Sequence, residues 1–271
     1  MPLRTLLPAL LLALPVAAGC GGDSVNRGDL NLMSLDQEWA LGAELAAEVA
    51  AQVRFVEDPA VQAYVEAMGQ ALVAETEMAD RPWRFYVVAD PAVNAFAIPG
   101  GHVYVNAGLI AAAENAAELA SVVGHEVAHG VARHATERMV KAYGLQLVAG
   151  LVLGEDAGFL EEVVTALLGQ GLLARFSRAD EQEADRLGLV FMADAGYAPE
   201  AMAGMFETLL VLRQRRPLLF ERWLQTHPLT EDRIEWAEAA ARDVPAADRR
   251  LTDPAFARIQ QRVARYAEPL L

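Results

Sequence analysis

The sequence is poor in basic residues, with a single lysine, Lys141, and arginine supplying the other cations. These cations form no basic stripe, and 37 acidic against 22 basic residues give a net charge of -15. A phosphate backbone or an anionic lipid surface would repel such a chain. We therefore expect no nucleic-acid partner.

The sequence also lacks a hydrophobic run long enough to span a bilayer. The apolar stretch from Thr5 to Ala18 is too short, and the best internal candidate, Leu145 to Leu153, covers about nine residues before it reaches Glu155. Contact with a membrane is therefore expected through a lipid anchor only.

The N-terminus has the features of a bacterial lipoprotein. A charged start and a short apolar core are typical of a secretory signal peptide, and Val16 to Gly19 precede the only cysteine, Cys20. This segment resembles a lipobox, which predicts a signal peptide at 1–19 and a lipidated Cys20 with its tether at 20–29. Because Gly21 rather than aspartate follows the cysteine, the resemblance implies the periplasmic face of the outer membrane. The other interpretation is a cleaved signal peptide followed by a stray thiol.

Residues 30–271 are predicted to form one domain of the α+β class that is predominantly helical. The chain is 54% hydrophobic, enough for one sizeable core. Apolar periodicity, caps and turn residues divide it into elements. Helices are predicted at 35–53, 59–74, 115–135, 137–153, 159–174, 178–195, 199–212, 231–241 and 254–267, and strands at 83–89, 94–98 and 102–106. Ser34 or Asp36 is expected to cap the first helix, and Asn115 with Glu118 to form a capping box.

The predicted helix from residue 115 carries the sequence His125-Glu126-Val127-Ala128-His129. At about 100° per residue, the two histidines lie about 40° apart around the axis and Glu126 lies about 60° from His129. All three share one side of a helix whose other residues are mostly apolar, and buried polar groups need a partner. The pattern predicts zinc bound by His125 and His129, with Glu126 as general base. The alternative is a coincidental match with hydrogen-bonded core histidines.

Zinc also needs a third protein ligand and an open position for water. Alanines occupy the positions where a metzincin has its glycine and third histidine, and His134 is expected to face elsewhere. Downstream, Glu181 and Asp185 are four residues apart and share a helix face. We therefore predict Glu181 as the ligand and Asp185 as the acceptor of an N–H from a ligand histidine.

Two neighbouring carboxylates receive a different interpretation. Glu183 lies about 160° around the helix from Asp185 and should point outward. We expect Asp180 and Glu183 to belong to a solvated acidic face.

Four segments together resemble one family of gluzincin peptidases. They are Asn94–Gly101, His125–His129, Glu181–Asp185 and Thr226–Arg233, and the family contains HtpX, the CAAX prenyl proteases, BepA and LoiP. The small LoiP-like periplasmic lipoproteins are the most similar type, since neither membrane spans nor a C-terminal repeat domain is expected. The resemblance implies a zincin-like fold with a small sheet beside the active-site helix. It also implies a zinc endopeptidase that degrades unfolded or misfolded envelope proteins.

The resemblance extends to further site residues. The strand from Asn94 to Ile98 resembles the edge strand to which peptide substrates add, with Asn94, Ala95 and Phe96 as substrate-binding residues. An ordinary hairpin strand, with Asn94 as a turn residue, is the alternative. Catalytic roles are implied for His227 and Arg233. His227 is a structural loop residue, an oxyanion donor or a removable zinc ligand, and the sequence leaves these three open.

Two other functions compete with a peptidase. One is a non-catalytic, chaperone-like or scaffold lipoprotein that binds unfolded outer-membrane proteins; the presence of every site residue argues against it, because such a protein could lose Glu126 freely. The other is a zinc hydrolase acting on a non-peptide bond of the envelope. The sequence carries no signal for an oligomeric state.

Overall fold

The computed structural model describes residues 33–143, 165, 176–215, 227–245 and 247–267. The predicted signal peptide, Cys20, the tether and the helix at 159–174 lie outside these residues, as does the end of the helix predicted to reach residue 153. The described part has the predicted class, mostly helical with one small sheet. Its elements are α1 (Leu35–Gln52), α2 (Pro59–Val73), β1 (Arg84–Val88), β2 (Ala95–Ile98), β3 (His102–Asn106), α3 (Ala107–Ala112), α4 (Ala116–Val131), α5 (His134–Tyr143), α6 (Arg178–Asp194), α7 (Ala201–Arg215), α8 (Glu231–Asp243) and α9 (Phe256–Ala267).

Side-chain caps start several helices where the sequence predicted them. Ser34, not Asp36, caps α1: its hydroxyl accepts from the Gln37 N–H at 3.2 Å, and the Gln37 side chain accepts from the Ser34 N–H. Asp58 caps α2 by accepting from the N–H groups of Ala60 and Val61, with Pro59 in the first helical position. These bonds satisfy N–H groups that the first turn of a helix leaves without a partner.

The active-site helix α4 differs from the prediction at both ends. Asn115 caps it, but Glu118 accepts from the Glu114 N–H and the Asn115 side-chain amide, so the reciprocal half of the capping box is absent. The helix ends at Val131, earlier than predicted. Arg133 has a φ of 60°, a left-handed conformation that stops a right-handed helix, and α5 begins directly after it.

The sheet has the order β1-β3-β2, so β2 is an edge strand in the described part of the chain. β1 pairs with β3 in parallel, and β2 pairs with β3 in antiparallel register. The turn between β2 and β3 contains Gly100 and Gly101 with φ of 80° and 74°, which other residues rarely adopt. β2 also packs against α4, so the site helix has an edge strand beside it.

Close packing of α4 against α6 fixes the relative position of their side chains. A Cβ atom added at Gly188 of α6 would lie 2.9 Å from the His125 backbone nitrogen, and one added at Gly124 would lie 3.2 Å from the Gly188 carbonyl oxygen. Only glycine allows this approach of the two backbones. It brings the acidic residues of α6 within reach of the histidines of α4.

Two hydrophobic clusters surround these elements. The larger one draws on residues from Val56 to Val263 and surrounds α4, in which nearly every side chain is buried. The smaller one packs α1, through Leu41, Leu45 and Val49, against a sheet face that includes Tyr104. No helix in the described ranges has the length and apolar character needed to cross a membrane.

Candidate metal centre

Helix α4 presents three buried polar side chains together. His125, Glu126 and His129 are 3%, 1% and 1% exposed. The Nε2 atoms of the two histidines face each other at 3.0 Å. Two imidazole nitrogens one helical turn apart can chelate one ion.

Glu181 from α6 and His227 from the loop before α8 complete this group. His227 Nδ1 lies 2.8 Å from Glu181 Oε1 and 3.3 Å from His125 Nε2, and His129 Nε2 lies 3.4 Å from Glu181 Oε1. One ligand atom from each of the four residues lies within 4.8 Å of the others. Three imidazole nitrogens and a carboxylate oxygen are donors that zinc prefers, so these residues fit the ion.

Asp185 and Arg233 lie behind the group and orient it. Asp185 Oδ1 is 2.9 Å from His125 Nδ1, the nitrogen that faces away from the group. The Arg233 guanidinium donates to both Asp185 oxygens at 2.7 and 2.8 Å, contacts Glu181 Oε2 at 2.9 Å and donates to the Pro228 carbonyl. The catalytic role expected for Arg233 stays a prediction, and the contacts seen are those of a positioning residue. Its donors contact two carboxylates and a carbonyl, which fixes the places of Glu181 and Asp185.

The charges of these residues follow from burial and from their neighbours. Burial raises the pKa of Asp185, but His125 and Arg233 outweigh it and hold that pKa below its usual range. Burial likewise acts against the charge of Glu181, yet His227, His129 and His125 bring its pKa well below normal. Glu181 is therefore an anionic donor at neutral pH.

At Glu126, burial outweighs the neighbouring charges, and the pKa is raised. Burial raises its pKa, although His227 and His125 act in the other direction, and the Ala97 N–H donates a hydrogen bond to the carboxylate. Its Oε1 lies 3.4 Å from His227 Nε2. A raised pKa makes this carboxylate a stronger proton acceptor than an ordinary glutamate.

His134 and its neighbours correct two expectations. His134 does not face away from the site: its Nδ1 lies 2.9 Å from His129 Nδ1 and its Nε2 lies 3.4 Å from Glu183 Oε2. Glu183 is therefore half-buried and paired, and Asp180 forms a capping box with Ser177. The prediction of a solvated carboxylate was wrong for Glu183, which pairs with His134, whereas the capping bonds of Asp180 lie at the exposed start of the helix.

Phe176 is a site residue that the sequence did not indicate. Its ring stacks on His129 with centroids 4.0 Å apart and also contacts His227 at 5.5 Å. The Arg138 guanidinium lies over the Phe176 ring, 5.1 Å from its centroid. An aromatic residue ahead of a helix cap has no distinctive pattern, so only the tertiary structure reveals this contact.

The edge strand reaches the site through main-chain groups. The Asn94 carbonyl accepts from the Asn106 N–H, so residue 94 and, by alternation, Phe96 direct their main chain toward β3. Ala95 and Ala97 then direct theirs toward the free edge, in agreement with the Ala97 N–H that reaches Glu126. Of the three residues named as substrate-binding, only Ala95 has this orientation. Ala97, which shares it, lies in the predicted edge strand but was not named.

The side chains of the same hairpin pack on the sheet. The Phe96 ring stacks on Tyr104 with centroids 4.7 Å apart. The fifth histidine, His102, stacks on Tyr86 in the sheet. Neither ring contributes to the metal group.

Comparison with known proteins identifies the family. Residues 59–241 match peptidase family M48. This range includes all four residues of the buried group, which are His125, His129, Glu181 and His227. The chain belongs to this family. M48 enzymes are zinc-dependent metallopeptidases, so the resemblance predicted from the sequence is confirmed, and the buried histidines and glutamate correspond to a zinc site.

The relatives of this M48 chain include bacterial proteases and a mitochondrial metalloendopeptidase. A beta-barrel assembly-enhancing protease of Yersinia pestis is 30% identical over 259 residues, covering 88% of this chain and 53% of the relative. A putative beta-barrel assembly-enhancing protease of Vibrio cholerae is 32% identical, covering 90% and 53%. The mitochondrial metalloendopeptidase OMA1 of Schizosaccharomyces pombe is 31% identical, covering 79% and 65%. The chain spans about half the length of the two bacterial relatives.

Proposed function

We propose that this protein is a zinc-dependent endopeptidase that cleaves unfolded or misfolded proteins of the bacterial envelope. The main support for this proposal is that the buried side chains of His125, His129 and Glu181 lie together in one group. Glu126 lies between this group and an edge strand. A chaperone-like protein that only binds would have no use for a buried carboxylate whose pKa is raised beside a metal group. The bacterial relatives' name, beta-barrel assembly-enhancing protease, favours an envelope substrate.

The reaction assigned to this site is hydrolysis of a peptide bond by water. Zinc, when bound by His125, His129 and Glu181, lowers the pKa of a water molecule and polarises the scissile carbonyl. Glu126 accepts a proton from the attacking water and then donates it to the leaving amine. The Ala97 N–H orients the Glu126 carboxylate, and Asp185 fixes the ring of His125.

Extended, unfolded chains are the substrates that this site suits. A peptide added to β2 would form main-chain hydrogen bonds with Ala95, which confer affinity without a strong demand on sequence. Because Ala97 on the same edge contacts Glu126, the added strand would run past the general base. A folded protein has few segments that are free to pair in this way.

We further propose that His227 is a removable zinc ligand that closes the site at rest. It is 2% exposed and contributes Nδ1 to the same group as the three other ligands. A fourth protein ligand would exclude the water that catalysis needs. This geometry disfavours the structural loop interpretation and leaves the oxyanion donor as the competitor.

Replacing His227 by alanine should therefore raise proteolysis. If the closed form holds about nine-tenths of the molecules, its removal increases the rate about tenfold. The measurement is the cleavage rate of an unfolded protein at equal zinc content. The matched control is His102→Ala, a histidine that stacks on Tyr86 in the sheet. Lost turnover with zinc retained would instead establish the oxyanion donor.

The proposed location is the periplasmic face of the outer membrane, with lipidated Cys20 as the anchor. The supporting feature is the small-residue segment before the only cysteine. Cys20→Ser should shift the protein from the membrane fraction to the soluble fraction, because the lipid anchor is lost. Ser24→Ala in the same segment is the control. A Cys20→Ser protein in the parent's membrane fraction would contradict the anchor.

The whole function is tested with purified protein from Gly21 onward. Its zinc content is measured, and it is incubated with an unfolded outer-membrane protein, a folded protein and cell-wall fragments. We expect cleavage of the unfolded protein alone. Binding without cleavage by zinc-loaded protein would support a chaperone-like lipoprotein, and release of wall fragments would support a non-peptide hydrolase.

A further inference from the structure

A chain of hydrogen-bonding groups leads from His129 to the protein surface. The Nδ1 atoms of His129 and His134 are 2.9 Å apart, and His134 Nε2 lies 3.4 Å from Glu183 Oε2. Both histidines are buried, whereas the Glu183 side chain is 22% exposed. None of the roles assigned above to the zinc group uses His134 or Glu183.

The donor and acceptor roles in this chain follow from the metal group. His129 directs Nε2 toward His125 and Glu181, so this nitrogen must be free of a proton to bind zinc. The proton of neutral His129 is then on Nδ1, which donates to His134 Nδ1. That contact makes Nδ1 of His134 the acceptor and Nε2 its donor, directed at the Glu183 carboxylate. Each imidazole has one tautomer that satisfies both neighbours.

The backbone around His134 is held in an uncommon conformation that places the ring. Arg133, with φ of 60°, donates to Glu38 Oε2 and to the Met33 carbonyl, both at 2.6 Å. Glu38 is 2% exposed, so this ion pair is largely removed from water. α5 can therefore begin at His134, with its ring turned back toward α4.

We propose that His134, supported by Glu183, is a positioning residue for zinc binding by His129. It fixes the tautomer and ring orientation of His129, as Asp185 does for His125. Both histidines of the helix motif thus have an acceptor for their outer N–H, one a carboxylate and the other a neutral imidazole. The inference rests on the proposed role of His129 as a zinc ligand, but not on the identity of the substrate.

The test measures zinc affinity directly, by competition with a chromophoric chelator at fixed pH. His134→Leu removes the acceptor at similar volume and should weaken zinc binding about 10- to 100-fold. His134→Asn places an amide oxygen near the position of Nδ1, where it can accept from the His129 N–H. This variant should recover most of the affinity. A role in packing alone would give the opposite order, since leucine fills the buried space better than asparagine.

Glu183→Ala tests the outer end of the chain, with Asp194→Ala as its control. Asp194 is an exposed carboxylate on the same helix, α6, so both variants lose one charge from that helix. Glu183→Ala should lose less affinity than His134→Leu, because water can enter the partly exposed position of the Glu183 carboxylate and accept from His134 Nε2, but more than Asp194→Ala. Equal affinities for the two alanine variants would overturn the role of Glu183.

The outcomes separate this inference from the proposed function. A parent that binds no zinc would defeat the proposed function, whereas parent-like affinity in His134→Leu would overturn only the role of His134. Thermal unfolding without zinc shows whether each variant folds. If His134→Leu does not fold, the comparison of His134→Asn with His134→Ala decides: equal affinities overturn the proposal, and tighter binding by asparagine supports it.

Discussion

Glu126→Gln is expected to reduce peptide hydrolysis by about 10²- to 10⁴-fold, the usual contribution of a general acid-base group. Glutamine has nearly the same shape but cannot accept the proton of the attacking water. Bound zinc should be unchanged, because the ligand group consists of His125, His129, Glu181 and His227 and does not include Glu126. Single-turnover cleavage of a fluorogenic unfolded protein, together with metal analysis, measures both quantities.

Glu118→Gln provides the matched control for this experiment. Glu118 is on the same helix and is 3% exposed, and burial also raises its pKa. It accepts hydrogen bonds at the start of α4 and does not contact the histidines. The control should keep most of the parent's activity. An undiminished rate in Glu126→Gln would refute its role as base, and simultaneous loss of zinc would show that it acts on the metal group instead.

The part of the site that lies on single helices was predictable from the sequence. The spacing of His125, Glu126 and His129 fixes their angular separation on any regular helix, and the same holds for Glu181 and Asp185. The apolar residues between them indicate burial. The predominantly helical class and the hairpin from β2 to β3 followed from periodicity and from two glycines in the turn.

Residues that act through tertiary contacts were missed or misassigned. His134 turns toward His129 because Arg133 has a left-handed backbone conformation, which is uncommon for a non-glycine residue and has no sequence signature. Ala97 faces Glu126 because of the pairing register of β2, and an alanine side chain gives no indication of it. The Phe176 ring stacks on His129, and Phe176 directly precedes Ser177, the cap of α6, so this contact depends on how α6 packs against α4. Local periodicity does not specify any of these contacts.

The second large effect is expected from Arg233→Met, which should lower the free energy of unfolding of the zinc-free protein by about 3–5 kcal/mol. Arg233 is 8% exposed and contacts two buried carboxylates, Glu181 and Asp185. Methionine fills similar volume but removes the one permanent cation that contacts both negative charges. Urea unfolding with and without excess zinc is the measurement. The loss should be smaller with zinc, because the ion compensates the charge of Glu181.

The pH dependence of this loss distinguishes charge from packing. Asp185 has a folded-state pKa below its normal value, so its contribution to stability is present above the unfolded pKa of about 4 and is lost as pH falls through the folded pKa. Without Arg233, burial should raise that pKa, and the deficit of Arg233→Met should therefore grow from acid to neutral pH. The control Arg262→Met removes a half-exposed arginine bonded to Asp58 and should cost much less. The Arg233 guanidinium also packs on the Phe206 ring. If the stability lost in Arg233→Met stays constant with pH, the guanidinium acts through this packing and not by compensating the two carboxylates.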